Sequence, residues 1–306
     1  MLDKEYERFV SVACVNFQTR WGDKQANLEK MKVTVVEAAK AGNNIIVFPE
    51  LALSGYECDE NIGKLKRSCA MHSDLAETVP GPSTLEMADL ARELGVYVIF
   101  GMPEQDKGDP AVRYISSAII APEGILGAYR KLHLAPPPRF TEDLCFTRGS
   151  EIPLWETNYG PIGVLICYDF WYFPELARIL ALKGARLIIN IAGSGAGPGK
   201  PYFIVQQTGS RATENIIYAV TANLVGKDRT KTFAGHSVIA GPLDPRPAHI
   251  FAEAGESEEI ISGVLDFEKL HFRHQLLPWR TSRQSELINV EFGNLLRKAD
   301  SIGVDR

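Results

Sequence analysis

The sequence has no run of 18 apolar residues, so no segment of it reads as a membrane-spanning helix. Met1-Leu2-Asp3-Lys4-Glu5 lacks the apolar centre of a secretory signal, and the expectation is a cytoplasmic protein. Cysteine is scarce. Cys14, Cys58, Cys69, Cys145 and Cys167 form an odd, scattered set without C-x-x-C spacing, which suggests neither a disulfide framework nor a zinc site. Excess positive charge is also missing. A net charge of −5 gives no electrostatic reason to expect nucleic acid or an anionic membrane as partner. Two common catalytic signatures are absent as well. Ser194 has Ala192 two residues before it and Ser237 has Ile239 two after it, so neither sits in G-x-S-x-G. In the glycine-rich run Gly193 to Lys200, the first glycine of a phosphate loop would fall on Ser194, and Pro201 stands where Ser or Thr is needed.

What is present is the material of an α/β protein. Hydrophobic content of 45% and charged content of 23% suit a globular chain with a full core. Residues 9–17 read as a buried strand, and Asp23 as the cap of a helix in which Leu28, Met31 and Val35 recur at helical spacing up to Gly42. A second apolar strand, residues 44–48, stops abruptly at Pro49-Glu50, and residues 52–80 read as irregular. Ser83-Thr84-Leu85-Glu86 reads as a capping box opening a helix to Gly95, with a strand over residues 96–100 behind it. Residues 114–121 and 125–131 flank the turn Pro122-Glu123-Gly124 as a hairpin. A long loop, residues 133–150, contains Pro136-Pro137-Pro138, and ordered loops of that length are often functional. The strand Ile162 to Ile166 ends at Cys167, and Pro174-Glu175 opens a helix that stops at Gly184. Strands over 186–192, 216–222, 236–240 and 260–267 and a helix over 201–215 follow, with a polar tail from His271. Residues 39–48 and 182–190 share one pattern of helix, glycine stop and apolar strand. Two such β–α–β halves would make two sheets packed face to face with helices outside.

Three strands therefore end in a reactive side chain, at Glu50, Lys131 and Cys167. A thiol between a strand end and a helix N-terminus sits where partial positive charge lowers its pKa, an expectation for a thiolate nucleophile. Taken in order, these segments resemble the nitrilase superfamily of carbon–nitrogen hydrolases over residues 8 to 270. The resemblance rests on Phe48-Pro49-Glu50 with Ser54-Gly55-Tyr56, on Tyr129-Arg130-Lys131-Leu132-His133-Leu134, and on Phe140-Thr141-Glu142 with Phe146 and Gly149. It continues through Gly163 to Asp169, Phe173-Pro174-Glu175-Leu176-Ala177-Arg178, Arg211-Ala212-Thr213-Glu214-Asn215 and Gly235-His236-Ser237.

That resemblance implies a four-layer αββα sandwich over residues 1–270, with residues 271–306 as a tail that packs on a partner subunit in a homodimer or larger assembly. It implies a Glu50-Lys131-Cys167 triad in which Cys167 attacks the amide carbonyl and Glu50 is the general base. Lys131 and the Tyr168 N–H would hold the oxyanion, Glu142 would orient Lys131 and the substrate, and no metal or organic cofactor is needed. Tyr168-Asp169 after the nucleophile, where nitrilases carry Trp-Glu, looks like the amidase and carbamoylase branches. Small non-peptide amides are the expected substrates, with N-carbamoyl amines or amino acids as the alternative, and a nitrilase or an inactive scaffold behind them. Tyr56, Tyr168, Phe170, Trp171, Tyr172, Ala192 and Gly193 are the expected pocket, aromatic and suited to a neutral acyl group. The chain departs from the family pattern by one extra residue between Asp169 and Phe173. His133 reads as a structural loop residue, and Cys14, Cys58, Cys69 and Cys145 as bystanders.

Overall fold

The computed structural model describes residues 6–59, 69–137, 140–243 and 246–302. The chain divides into two compact units, Met1–Leu270 and His271–Arg306. In the first, β1 (Phe9–Asn16) leads into α1 (Lys24–Lys40), whose N-terminus is capped by Asp23 Oδ1 accepting from the Ala26 N–H at 3.1 Å. Leu28, Met31, Val35 and Ala38 lie on the buried face of this helix, which turns at Ala41-Gly42 into β2 (Ile45–Val47). The short helix α2 (Ala70–Leu75) falls inside the stretch expected to be irregular. Next come α3 (Pro82–Leu94) and β3 (Tyr97–Gln105), a strand longer than its apolar core suggests because it continues through Gly101-Met102-Pro103. The capping box is corrected here. Gly81 is the cap and donates its N–H to Thr84 Oγ1, whereas the Ser83 N–H and hydroxyl both reach the Glu77 carboxylate.

The hairpin β4 (Arg113–Ala121) and β5 (Gly124–Arg130) closes the first half as expected. The long loop after it contains one turn of helix, α4 (Glu142–Cys145); Pro138 of its proline run lies outside the described residues. β6 (Ile162–Ile166) runs into α5 (Tyr168–Tyr172), then α6 (Pro174–Lys183) and β7 (Leu187–Ala192). The helix next to the cysteine is thus α5 and not the one opened by Pro174. The extra residue between Asp169 and Phe173 is taken up within α5. α7 (Lys200–Asn215), β8 (Tyr218–Asn223), the small ribbon β9 (Val225–Lys227) and β10 (Thr232–Ala234), then β11 (Val238–Leu243), β12 (Arg246–Glu253) and β13 (Glu259–Asp266) complete this unit, with the start of α8 (Phe267–Leu276). The second unit holds the rest of α8 and the amphipathic α9 (Ser285–Ile302).

Two sheets form the centre of the first unit, with strand orders β13-β1-β2-β3-β4-β5 and β12-β11-β8-β7-β6. In each, three strands are parallel (β1, β2, β3 and β6, β7, β8) and the outer ones antiparallel. The repeated sequence pattern explains this likeness, because residues 39–48 carry α1 into β2 and residues 182–190 carry α6 into β7. β1 packs on β8 and β4 on β6, while α1 and α3 lie outside the first sheet and α6 and α7 outside the second. The architecture is a four-layer αββα sandwich. Its core strands are apolar on both faces because each sheet has a helical layer on one side and the other sheet on the opposite side. Among the described residues, no helix is long and apolar enough to cross a membrane.

Candidate active site

The C-terminal ends of β2, β5 and β6 converge, and Glu50, Lys131 and Cys167 lie just beyond them, with Glu142 reaching in from the long loop after β5. Glu50 follows β2 by three residues and is fully buried. Gly101 on β3 makes that position possible. A Cβ there would lie 2.3 Å from the Leu51 N and 2.6 Å from the Glu50 Cα, so only glycine lets the Pro49-Glu50 backbone cross β3 so closely. Lys131 follows β5, is likewise fully buried, and its Nζ donates to Glu50 Oε1 at 2.7 Å and to Glu142 Oε1 at 2.8 Å, with Glu142 Oε2 at 2.7 Å. Glu142 opens α4, and its carboxylate also accepts from the Tyr56 hydroxyl at 2.5 Å and the Ala135 N–H at 2.8 Å. The free oxygen of Glu50 accepts from the Gly193 N–H at 2.8 Å.

Cys167 sits at the tip of β6 with φ 48° and ψ −98°, one of four non-glycine residues with positive φ among the described residues. Its N–H is held by the Ile191 carbonyl and by Asn190 Oδ1, both at 2.9 Å. This fixed, strained turn aims the side chain into the cavity. Tyr168, the first residue of α5, has no acceptor for its N–H within that helix. Asp169 is completely buried, and its carboxylate grips the strand that carries the lysine. It accepts from the Tyr129 hydroxyl at 2.7 Å, the Leu132 N–H at 3.0 Å, and the His133 N–H and Nδ1 at 2.8 Å. His133 also stacks on Phe173 at 3.5 Å, a structural role. Arg211 donates to the carbonyls of Phe170 and Trp171 and so holds the end of α5.

The electrostatics follow from burial. Burial raises the Glu50 carboxyl to about 7, against the pull of the Lys131 ammonium and with the help of the Glu142 charge. The Cys167 thiol is pushed up to about 12, first by burial and then by the Glu50 charge, with Lys131 opposing. The expected depressed thiol is therefore corrected. A one-and-a-half-turn helix does not outweigh desolvation and two carboxylates, and Cys167 rests as a thiol. Burial works against a charged Lys131, but the Glu142 and Glu50 carboxylates outweigh it and keep it protonated.

A cavity of about 470 Å³ opens over Cys167. Tyr56, Tyr168, Trp171, Tyr172 and Gly193 line it as expected. Phe170 and Ala192 do not; both are fully buried beneath it, Phe170 packed edge-on against Trp171. Sequence reading missed Phe140, Phe233, Lys200 and Lys231 in the wall. The Lys231 ammonium lies 4.9 Å from the centre of the Phe140 ring and 5.4 Å from that of Tyr56. The glycine-rich run forms one rim, and Gly193 is needed there because a Cβ would come 2.8 Å from the Tyr56 ring. Three of the four cysteines read as bystanders lie together. Cys58, Cys69 and Cys145 meet beside His72, because the linker after Glu50, α2 and α4 converge on the far side of Glu142. Their scattered positions hide this, and the one signal was Cys69-x-x-His72, two potential ligands one helical turn apart. Cys14 is buried in β1, where burial alone raises its thiol well above the usual range.

The carbon–nitrogen hydrolase family pattern matches residues 11–273. A Schizosaccharomyces pombe protein described as a probable nitrilase is 37% identical over 261 residues, covering 84% of this chain and 89% of its own. Omega-amidase NIT2 of Xenopus tropicalis is 32% identical over 276 residues, covering 88% and 93%. Among solved structures, Nit3 of Saccharomyces cerevisiae, a member of branch 10 of the nitrilase superfamily, superposes with a TM-score of 0.77 at 28% identity, covering 92% of this chain and 97% of Nit3.

Proposed function

The chain belongs to the carbon–nitrogen hydrolase family of the nitrilase superfamily and is a hydrolase of non-peptide C–N bonds; from that premise we propose an amidase that releases ammonia from small amides through a thioester on Cys167. The observation that carries this reading is the buried Glu50–Lys131–Glu142 group beneath the Cys167 cavity. Glu50, with a carboxyl raised to about 7, takes the thiol proton as the sulfur attacks the amide carbon. Lys131 and the Tyr168 N–H face the oxyanion as it develops. Glu50 returns the proton to the departing nitrogen, and ammonia leaves. Glu50 then deprotonates the water that attacks the thioester, the carboxylic acid is freed, and the departing Cys167 sulfur takes that proton back from Glu50, which restores the resting thiol and carboxylate. Glu142, held by Tyr56 and Ala135, fixes Lys131 in place.

A second reading narrows the substrate to amides that carry a distant carboxylate. Lys200 and Lys231 in the cavity wall favour it, as does the likeness to an omega-amidase. The test is ammonia release from neutral amides, monoamides of dicarboxylic acids, N-carbamoyl amines and nitriles, with Lys231→Met beside the wild type. Amide turnover supports the first reading. A KM raised by Lys231→Met only for the acidic amides supports the second. Turnover of nitriles or carbamoyl amines but no amide overturns both.

A further inference from the structure

A second cluster lies behind the active-site acid. Cys58, Cys69 and His72 present ligand atoms that all lie within 4.8 Å of one another, with Cys58 Sγ 3.8 Å from His72 Nδ1. Cys145 lies beside this set of three, its sulfur 3.2 Å from Cys58 Sγ. A tetrahedral zinc with bonds of about 2.3 Å to sulfur and 2.0–2.1 Å to nitrogen needs ligand atoms roughly 3.6–3.8 Å apart, and Cys58 Sγ and His72 Nδ1 already stand at that spacing. The second layer is also in place. His72 is buried and its Nε2 lies 3.0 Å from the Gly55 carbonyl. The carbonyl can only accept, so Nε2 carries a proton and Nδ1 is the nitrogen that faces the sulfurs, the orientation that metal-bound histidines share. The Thr141 hydroxyl donates to Cys58 Sγ at 3.5 Å, and the Phe146 ring packs 5.1 Å from the imidazole and shields it. Cys69 is the N-cap residue of α2, yet its side chain makes no capping bond.

We propose that Cys58, Cys69 and His72 hold a structural zinc ion, and that the neighbouring Cys145 sulfur swings in as the fourth ligand to complete a Cys3His site. Binding releases three thiol protons to solvent and leaves four protein ligands around the ion with no open position, so the site is a clamp and not a second catalytic centre. The clamp ties three segments together. Cys58 is two residues from Tyr56, and Cys145 is one helical turn from Glu142, so the ion would fix the hydroxyl–carboxylate pair that positions Lys131. A Cys58–Cys145 disulfide is the rival. It requires a sulfur separation near 2.05 Å, against the 3.2 Å between Cys58 Sγ and Cys145 Sγ.

The test is the metal content of the full chain, purified without added metal, by elemental mass spectrometry. The expected result is one zinc per chain in the wild type, below about a tenth of that in Cys69→Ser and Cys145→Ser. Chelator treatment should lower the melting midpoint by roughly 5 °C or more, with zinc restoring it. Cobalt added to the zinc-free wild type should give a thiolate charge-transfer band and intense tetrahedral visible bands, a signature that depends on neither folding of a variant nor activity. A wild-type chain that holds no zinc and takes up neither zinc nor cobalt after reduction overturns the proposal. So does a peptide map that joins Cys58 to Cys145 in the native protein.

Discussion

Gly101→Ala tests whether the site depends on a residue that never touches substrate. The added methyl would sit 2.3 Å from the Leu51 N, 2.6 Å from the Glu50 Cα and 2.6 Å from the Pro49 carbonyl oxygen. All three are backbone atoms, so no side-chain rotation relieves the clash. Recovering an ordinary contact of 3.4 Å moves the Pro49-Glu50-Leu51 segment by about 1 Å, a displacement that costs on the order of 100-fold in rate when it misplaces a catalytic group. Glu50 Oε1 and Oε2 would lose their 2.7 Å and 2.8 Å contacts with Lys131 and the Gly193 N–H together. The assay is kcat/KM for ammonia release, with far-ultraviolet circular dichroism and a melting curve to establish that the fold persists. A folded Gly101→Ala protein within threefold of wild-type kcat/KM would refute the reasoning, because Glu50 would then tolerate a shift of its own backbone.

Asp169→Asn should lower kcat more than it raises KM and cost about 2 kcal/mol or more of stability, since an amide cannot accept all four bonds that the carboxylate takes from Tyr129, Leu132 and His133; kinetics with urea unfolding check this. With Glu50 as the proposed base, active only when ionised and raised by burial to about 7, kcat/KM should fall about tenfold per unit as pH drops below 7. Glu142→Gln removes a negative charge that raises Glu50, so in whatever activity remains that limb should move to lower pH; a limb that moves to higher pH contradicts the assignment. Lys131→Met should cost on the order of 3 kcal/mol or more in kcat/KM as the oxyanion loses its fixed positive charge.

Much of this was legible because strand ends are legible. Phe48-Pro49-Glu50, Tyr129-Arg130-Lys131 and Ile166-Cys167 are apolar runs stopped by a polar residue, and the fold only had to bring their ends together. The paired β–α–β halves were visible in residues 39–48 and 182–190 for the same reason, as local periodicity. What stayed hidden was set by contacts distant in sequence. The thiol's raised pKa arises from burial beneath loops that the sequence does not place. Phe170 reads as a pocket aromatic, yet the turn of α5 rotates it inward and leaves Trp171 and Tyr172 at the cavity. Lys231 reaches the wall from residues between β9 and β10, far from any motif, and Cys58 meets Cys145 across 87 positions. Spacing rules that look for metal ligands close in sequence pass over such a set.

In the proposed reaction, carbon–nitrogen cleavage runs through Cys167, with Glu50 as its base. The direct measurement is acid quenching of the enzyme during amide turnover, peptide mass mapping of the acyl group, and ammonia release by Cys167→Ala in parallel. The account predicts the acyl mass on the Cys167 peptide and no ammonia from the variant; turnover by folded Cys167→Ala at a rate near wild type would contradict it.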